Sequence, residues 1–141
     1  MRRVFLDTSG LVAATFHPQT GHGGADRELA RLKTEGVPLV LHQGIVIELF
    51  DTLSTLALRE EALRLAARIE IEARAERVQI FDLSADLLEA GKALFAKRAD
   101  KEWGLTDCIS FVLMRELGIH EAFSLDHHFE QAGFVLLIRS D

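Results

Sequence analysis

Four carboxylates in this 141-residue sequence stand inside or at the edge of apolar runs, where an acid is chemically out of place. Asp7 closes Val-Phe-Leu-Asp-Thr-Ser, Glu48 interrupts Gly-Ile-Val-Ile-Glu-Leu-Phe, Asp107 lies in Leu-Thr-Asp-Cys-Ile-Ser-Phe, and Asp126 follows Ala-Phe-Ser-Leu. Singly, each has an ordinary explanation. An acid in the first turn of a helix gains ~0.3–1 kcal/mol from the macrodipole, and an acid after a strand is common turn chemistry. Glu48 and Asp107 are harder to dismiss, because their neighbours are almost all apolar and carboxylates are rarely buried without something to compensate their charge. Acids that cluster repel one another, which raises their pKa values or demands a cation. The natural partner is a hard divalent ion, Mg²⁺ or Mn²⁺, which takes oxygen ligands and keeps several waters when few carboxylates bind it.

Stepping from these acids to the elements that must hold them, five short β-rich runs alternate with helical patterns: 3–6, 38–41, 78–81, 121–124 and 134–138. Such alternation predicts an α/β fold with a five-stranded parallel sheet and helices on both faces. Ala25–Glu35 stops at Gly36 and Pro38, Arg59–Glu76 carries an amphipathic repeat, Ser84 caps Ala85–Lys97, and Thr106 caps Asp107–Leu117 before Gly118. Residues 17–24, rich in Gly and His, read as a mobile loop. In an open α/β sheet, ligands collect beyond the carboxyl ends of the strands. Asp7 and Asp126 follow strands one and four, Glu48 lies just inside the helix after strand two, and Asp107 is in a first helical turn.

The chain reads as one domain, residues 1–141, with no linker to divide it. The single cysteine, Cys108, excludes an internal disulfide, a zinc ribbon and a redox pair. Its neighbour Asp107 would raise the thiol pKa, so it reads as a small packed residue. The apolar opening run is too short for a signal sequence, and no run approaches the ~18 residues of a membrane span. These features predict a soluble cytoplasmic protein. The formal charge is −6, but setting the four acids aside leaves −2, so net acidity does not exclude a nucleic-acid substrate.

These segments, with Leu-Thr-Asp-Cys-Ile-Ser-Phe-Val-Leu-Met-Arg-Glu-Leu-Gly-Ile and Ala-Phe-Ser-Leu-Asp-His-His-Phe-Glu-Gln-Ala-Gly-Phe taken at full length, make the sequence resemble PIN-domain nucleases along essentially its whole length. The resemblance is closer still to the VapC-like toxin group. It implies a Rossmann-like, three-layer fold and an endoribonuclease dependent on Mg²⁺ or Mn²⁺, with Asp7, Glu48, Asp107 and Asp126 as catalytic metal ligands. It further implies an RNA substrate, a small antitoxin partner and a tendency to dimerise. One departure is His42-Gln43-Gly44, where the family often carries Ser or Thr, so no hydroxyl function transfers to that loop.

On this basis Asp7 and Asp107 are the direct ligands, while Thr8, Ser9, Thr106 and Ser124 are candidate hydrogen-bond donors behind the acids. Lys97, Arg98, Lys101 and His127 are candidate substrate contacts, with Lys92 beside them and His128 a further option. Trp103 could stack on an unpaired base, although packing is its commoner role. Phe5, Phe50, Phe81, Phe95, Phe111 and Phe123 are assigned to the core, and the apolar content of Ile45–Glu76 suggests a dimer surface. Other α/β classes fail on particular residues. A receiver domain wants an acidic pair where Asp7 stands alone, leaving Asp82 as turn chemistry. A haloacid-dehalogenase-like phosphatase wants Asp where Ser9 is, and a dinucleotide site needs more glycine than Gly10 alone. The remaining alternative is a PIN-like scaffold that binds RNA or protein without cutting.

Overall fold

The computed structural model describes residues 1–20 and 24–138. The elements, in order, are β1 (Val4–Leu6), α1 (Thr8–Thr20), α2 (Gly24–Thr34), β2 (Leu39–His42), α3 (Gln43–Thr52), α4 (Arg59–Arg74), β3 (Val78–Phe81), α5 (Ala85–Lys97), α6 (Leu105–Leu117), β4 (Glu121–Phe123), α7 (His128–Gln131) and β5 (Val135–Leu136). All five strands are parallel, in the order β3-β2-β1-β4-β5. Val4 pairs with Leu39 on one side and Glu121 on the other, and Leu6 pairs with Phe123. Every residue of β1 is buried, as a central strand covered on both faces requires. The α/β sandwich expected from the alternation is therefore present.

This strand order places a topological switch between β1 and β4. Successive strands progress outward in opposite directions from that point, so the connections leaving β1 and β4 part and open a crevice at their carboxyl ends. Asp7 and Ser124 are the first residues past those two strands. A backbone hydrogen bond from Asp7 N–H to Phe123 O (3.2 Å) holds the two exits side by side. Below the crevice the core is aromatic: Phe111 of α6 meets Trp103 and Phe129 edge-on, with ring centres at 5.0 and 4.9 Å. These contacts fix the helix that carries Asp107.

Several boundaries differ from the sequence expectation for identifiable reasons. Thr106 does not cap α6. The extended Gly104 does (φ −72°, ψ 167°), and the Asp107 carboxylate accepts its N–H. Helix α4 stops at Arg74, and Glu76 then adopts a left-handed φ of 61°. Strand β5 is only two residues long, although Leu137 N–H still donates to Ala122 O (3.0 Å). Of the expected loop at 17–24, residues 17–20 continue α1 past a break in helical geometry at Phe16, Gly24 opens α2, and 21–23 lie outside the described residues. Phe50 and Phe95 are not core residues, being 38% and 53% exposed. Helix α3 buries Ile45 and Leu49 and turns Ile47 and Phe50 outward, while Phe95 lies on the last turn of α5, beyond its buried Leu87 and Gly91.

The crevice depends on close approach of α1 to β4. A Cβ on Gly10 would lie 2.2 Å from the Phe123 carbonyl oxygen, a backbone atom with no room to yield. Gly10→Ala is expected to destabilise the fold by about 3 kcal/mol, the upper range for overpacking, and urea unfolding monitored by circular dichroism checks it. An unchanged midpoint would show that the α1–β4 approach is not a constraint on the fold.

Candidate active site

The four acids named from the sequence line one cavity of about 520 Å³, together with Thr8, Ser9, Val12, Ala13, Thr52, Glu102, Gly104, Leu125 and His128. They reach it from four directions: the end of β1, the second turn of α3, the first turn of α6 and the loop after β4. Among the described residues, no lysine or arginine lines this cavity.

Asp7 is the anchor. It is 4% exposed, and its Oδ2 accepts hydrogen bonds from Ser124 Oγ (2.7 Å) and Ser9 Oγ (2.9 Å). The two hydroxyls are themselves 3.0 Å apart. Each also serves as an acceptor, Ser9 for Leu125 N–H (2.9 Å) and Ser124 for Asp126 N–H (3.0 Å). One serine pair thus orients the Asp7 carboxylate and the backbone that presents Asp126. Thr8 Oγ1 is buried with no hydrogen bond within 3.5 Å among the described residues, yet it lies close enough to Glu48 to favour its ionised form.

On the opposite wall, Asp126 Oδ1 accepts the N–H of His128 (2.9 Å). That turn points His128 back into the cavity, with Nδ1 at 3.2 Å from both Asp107 Oδ2 and Asp126 Oδ1. His127 faces the other way, its side chain 71% exposed, although ligand-capable atoms of Asp126, His127 and His128 all lie within 4.8 Å of one another.

The remaining candidates lie elsewhere. Lys97, Arg98 and Lys101 are outside the cavity lining, and Arg98 pairs with Asp100 (3.0 Å) while resting 5.0 Å over the Trp103 ring. Lys92 pairs with Glu89 on α5. Trp103 is a packing residue: it is 3% exposed and its Nε1 donates to Gln131 Oε1 (2.9 Å). Thr106 contributes its carbonyl, which accepts from Ser110 Oγ (2.9 Å). Glu102 in the lining was not singled out from the sequence, because it sits among charged residues with nothing local to mark it. Cys108 is fully buried, and burial, then Asp107, pushes its thiol up.

The electrostatics follow from burial. Desolvation, opposed by the two serines and reinforced by Glu48 and Asp107, pushes the Asp7 carboxyl up to about 6. Burial and then the other acids raise Glu48, with Thr8 pulling the other way. Burial and then Asp126 raise Asp107, against the pull of His128 and the Gly104 N–H. Three desolvated acids, each raised further by a neighbouring carboxylate, with no lysine or arginine among the described residues of the lining, are a donor set suited to a hard divalent cation.

A match to the PIN domain family extends over residues 4–135, and the chain belongs to that family. Within it, the chain is similar to the 23S rRNA-specific endonuclease VapC20 of Mycobacterium tuberculosis, with 30% identity over 132 residues. That span is 94% of this chain and 95% of the relative, in strains CDC 1551 and H37Rv alike. The crystal structure of M. tuberculosis VapC20, described as a Sarcin-Ricin loop cleaving toxin, superposes with a TM-score of 0.77 at 26% identity. The superposition covers 94% of this chain and 96% of that one. The VapC-like group of PIN-domain endoribonuclease toxins is thus the chain's place in the family.

The raised Asp7 pKa gives a signed prediction for the metal-free protein. The folded state holds the Asp7 proton up to about pH 6, whereas the unfolded chain releases it near 3.8. Stability from this group is therefore complete below 3.8 and is lost as pH rises through 6, a change of about 3 kcal/mol. Asp7→Asn, which removes the charge and retains an acceptor for the serines, should stabilise metal-free protein at pH 7.5 by up to about 3 kcal/mol and bring no gain at pH 4. Thermal melts in EDTA at the two pH values measure this. A loss of stability at pH 7.5 would contradict the assignment of desolvation as the dominant effect.

Proposed function

We propose that this protein hydrolyses RNA phosphodiester bonds at the cavity formed by Asp7, Glu48, Asp107 and Asp126, using Mg²⁺ or Mn²⁺, as the toxin of a toxin–antitoxin pair. The observation that carries this reading is convergence of four carboxylates at the β1–β4 switch point, in a cavity that no lysine or arginine among the described residues lines. A scaffold that only binds gains nothing from grouping acids that repel. The rRNA specificity of the VapC20 relatives makes structured large-subunit rRNA the first substrate to test.

Asp7 and Asp107 are suited to direct ligation, because both face the cavity on rigid supports, the serine pair for one and the packed α6 for the other. Glu48 and Asp126 complete the set, as further ligands or by orienting the attacking water. The cation, when bound, lowers the pKa of water and offsets charge that builds on the scissile phosphate. Ser9 and Ser124 keep the Asp7 carboxylate from turning away, and His128 holds Asp107 and Asp126 together from the far side. The partner expected for a toxin is a small antitoxin whose Arg or Lys enters the acidic cavity and competes with the cation.

Purified protein should cut large-subunit rRNA with Mn²⁺ or Mg²⁺ and not in EDTA, and Asp107→Asn should lower turnover by a factor on the order of 10² or more. A folded, Mn²⁺-loaded protein that binds this RNA without cutting would favour the scaffold instead. Self-association fits the outward apolar residues Ile47, Phe50, Leu63 and Ile71 on α3 and α4. Phe50→Glu should then shift sedimentation toward the monomer, and a parent that is already monomeric at micromolar concentration would remove that role.

A further inference from the structure

His42, at the end of β2, is fully buried, and nothing in the chemistry above uses it. Its Nδ1 accepts the N–H of Gly44 (3.0 Å), which caps α3. Its Nε2 lies 2.9 Å from Ser110 Oγ on α6, and that hydroxyl lies 2.9 Å from the Thr106 carbonyl. Proton positions follow by elimination. The Thr106 carbonyl can only accept, so Ser110 donates to it, and Ser110 must then accept from Nε2–H. A neutral imidazole with its proton on Nε2 satisfies both contacts, and burial pushing the ring down to about 4 keeps it in that form.

The chain of contacts therefore runs from the first turn of α3 to the first turn of α6. One end lies four residues before Glu48 and the other one residue before Asp107. These two helices present acids that repel each other across the cavity. Gly44 belongs to the same device: a Cβ there would stand 2.7 Å from the imidazole Cε1 and 2.8 Å from Nδ1. Gln43 adds a second tie, its Oε1 accepting the N–H of Leu83 ahead of α5 (2.8 Å). His42, Gln43 and Gly44 thus form one unit at the start of α3.

The geometry points to His42 as a positioning residue that, through Ser110, sets the separation of Glu48 and Asp107 and so the affinity of the carboxylate site for its divalent cation. This inference rests on the metal site proposed above. A residue that holds metal ligands in place is worth on the order of tenfold in affinity, and an interaction shared by two residues makes their losses non-additive.

The test compares the parent protein, His42→Asn, Ser110→Ala and the double variant. Asn retains an acceptor for the α3 cap but falls short of Ser110, and Ser110→Ala leaves that cap untouched, so it carries the test alone if His42→Asn does not fold. Mn²⁺ affinity is read by electron paramagnetic resonance of free ion at least 20 °C below each variant's own melting temperature. Each single variant should bind Mn²⁺ about tenfold more weakly, with the double variant no weaker than the worse single. Parental Mn²⁺ affinity in a variant that melts earlier would reduce His42 to a stability role and overturn the proposal. Additive losses would overturn the shared path through Ser110. A parent protein that binds no Mn²⁺ would overturn the metal reading, and this inference with it.

Discussion

Removing several carboxylates from water at one point of the fold is the constraint around which the rest of this structure is arranged. A desolvated acid is costly unless hydrogen bonds or a cation offset its charge. Asp7, 4% exposed, receives two serine hydroxyls, and bonds of that kind to a charged group contribute about 1.5–3 kcal/mol each. They do not restore the ordinary pKa, and the charge left uncompensated is of the kind a cation would offset. The same feature that strains the metal-free fold is thus the one suited to a divalent ion.

The topology concentrates this charge without spreading it through the core. Because β1 and β4 are adjacent while their connections part, a crevice opens between them at that end of the sheet, and the four acids line it. Beneath it, Phe5, Phe111, Phe123 and Phe129 are fully buried. Glu48 and Asp107 come in on helices anchored in that apolar layer, α3 through Ile45 and Leu49 and α6 through Cys108, Ile109 and Phe111. Rigid packing resists the repulsion among the acids. The hydroxyls of Ser9 and Ser124 then settle where Asp7 points, and the ring of His128 lies against Asp107 and Asp126.

Much of this was legible from residue order. Strand β3 and helix α5 fall at Val78–Phe81 and Ala85–Lys97 as the sequence patterns indicate, with Ser84 accepting the Leu87 N–H as the N-cap. Helix α1 was not marked, because Leu11, Val12, Ala13 and Ala14 run consecutively, leaving no helical period to read. Phe50 and Phe95 were misassigned to the core, since periodicity identifies an apolar residue but not whether another element covers it. His127 and His128 are indistinguishable in sequence. Only the turn closed by the His128 N–H on Asp126 sends one into the cavity and the other to solvent.

The amino-acid sequence by itself determined the fold class through its alternating strand and helix patterns, pointed to the family through its resemblance to PIN-domain nucleases, and marked the four acids as candidates, because apolar runs broken by carboxylates at the ends of strands and starts of helices are local features that survive in one dimension. Tertiary structure alone decided that those acids share one cavity, that no lysine or arginine among the described residues lines it, that Ser9 and Ser124 both grip Asp7, and that His42 bridges α3 and α6. Partners such as Asp7 and Ser124, or His42 and Ser110, are 117 and 68 residues apart. Their meeting is set by strand order and helix packing, and neither is written in the neighbourhood of any one residue.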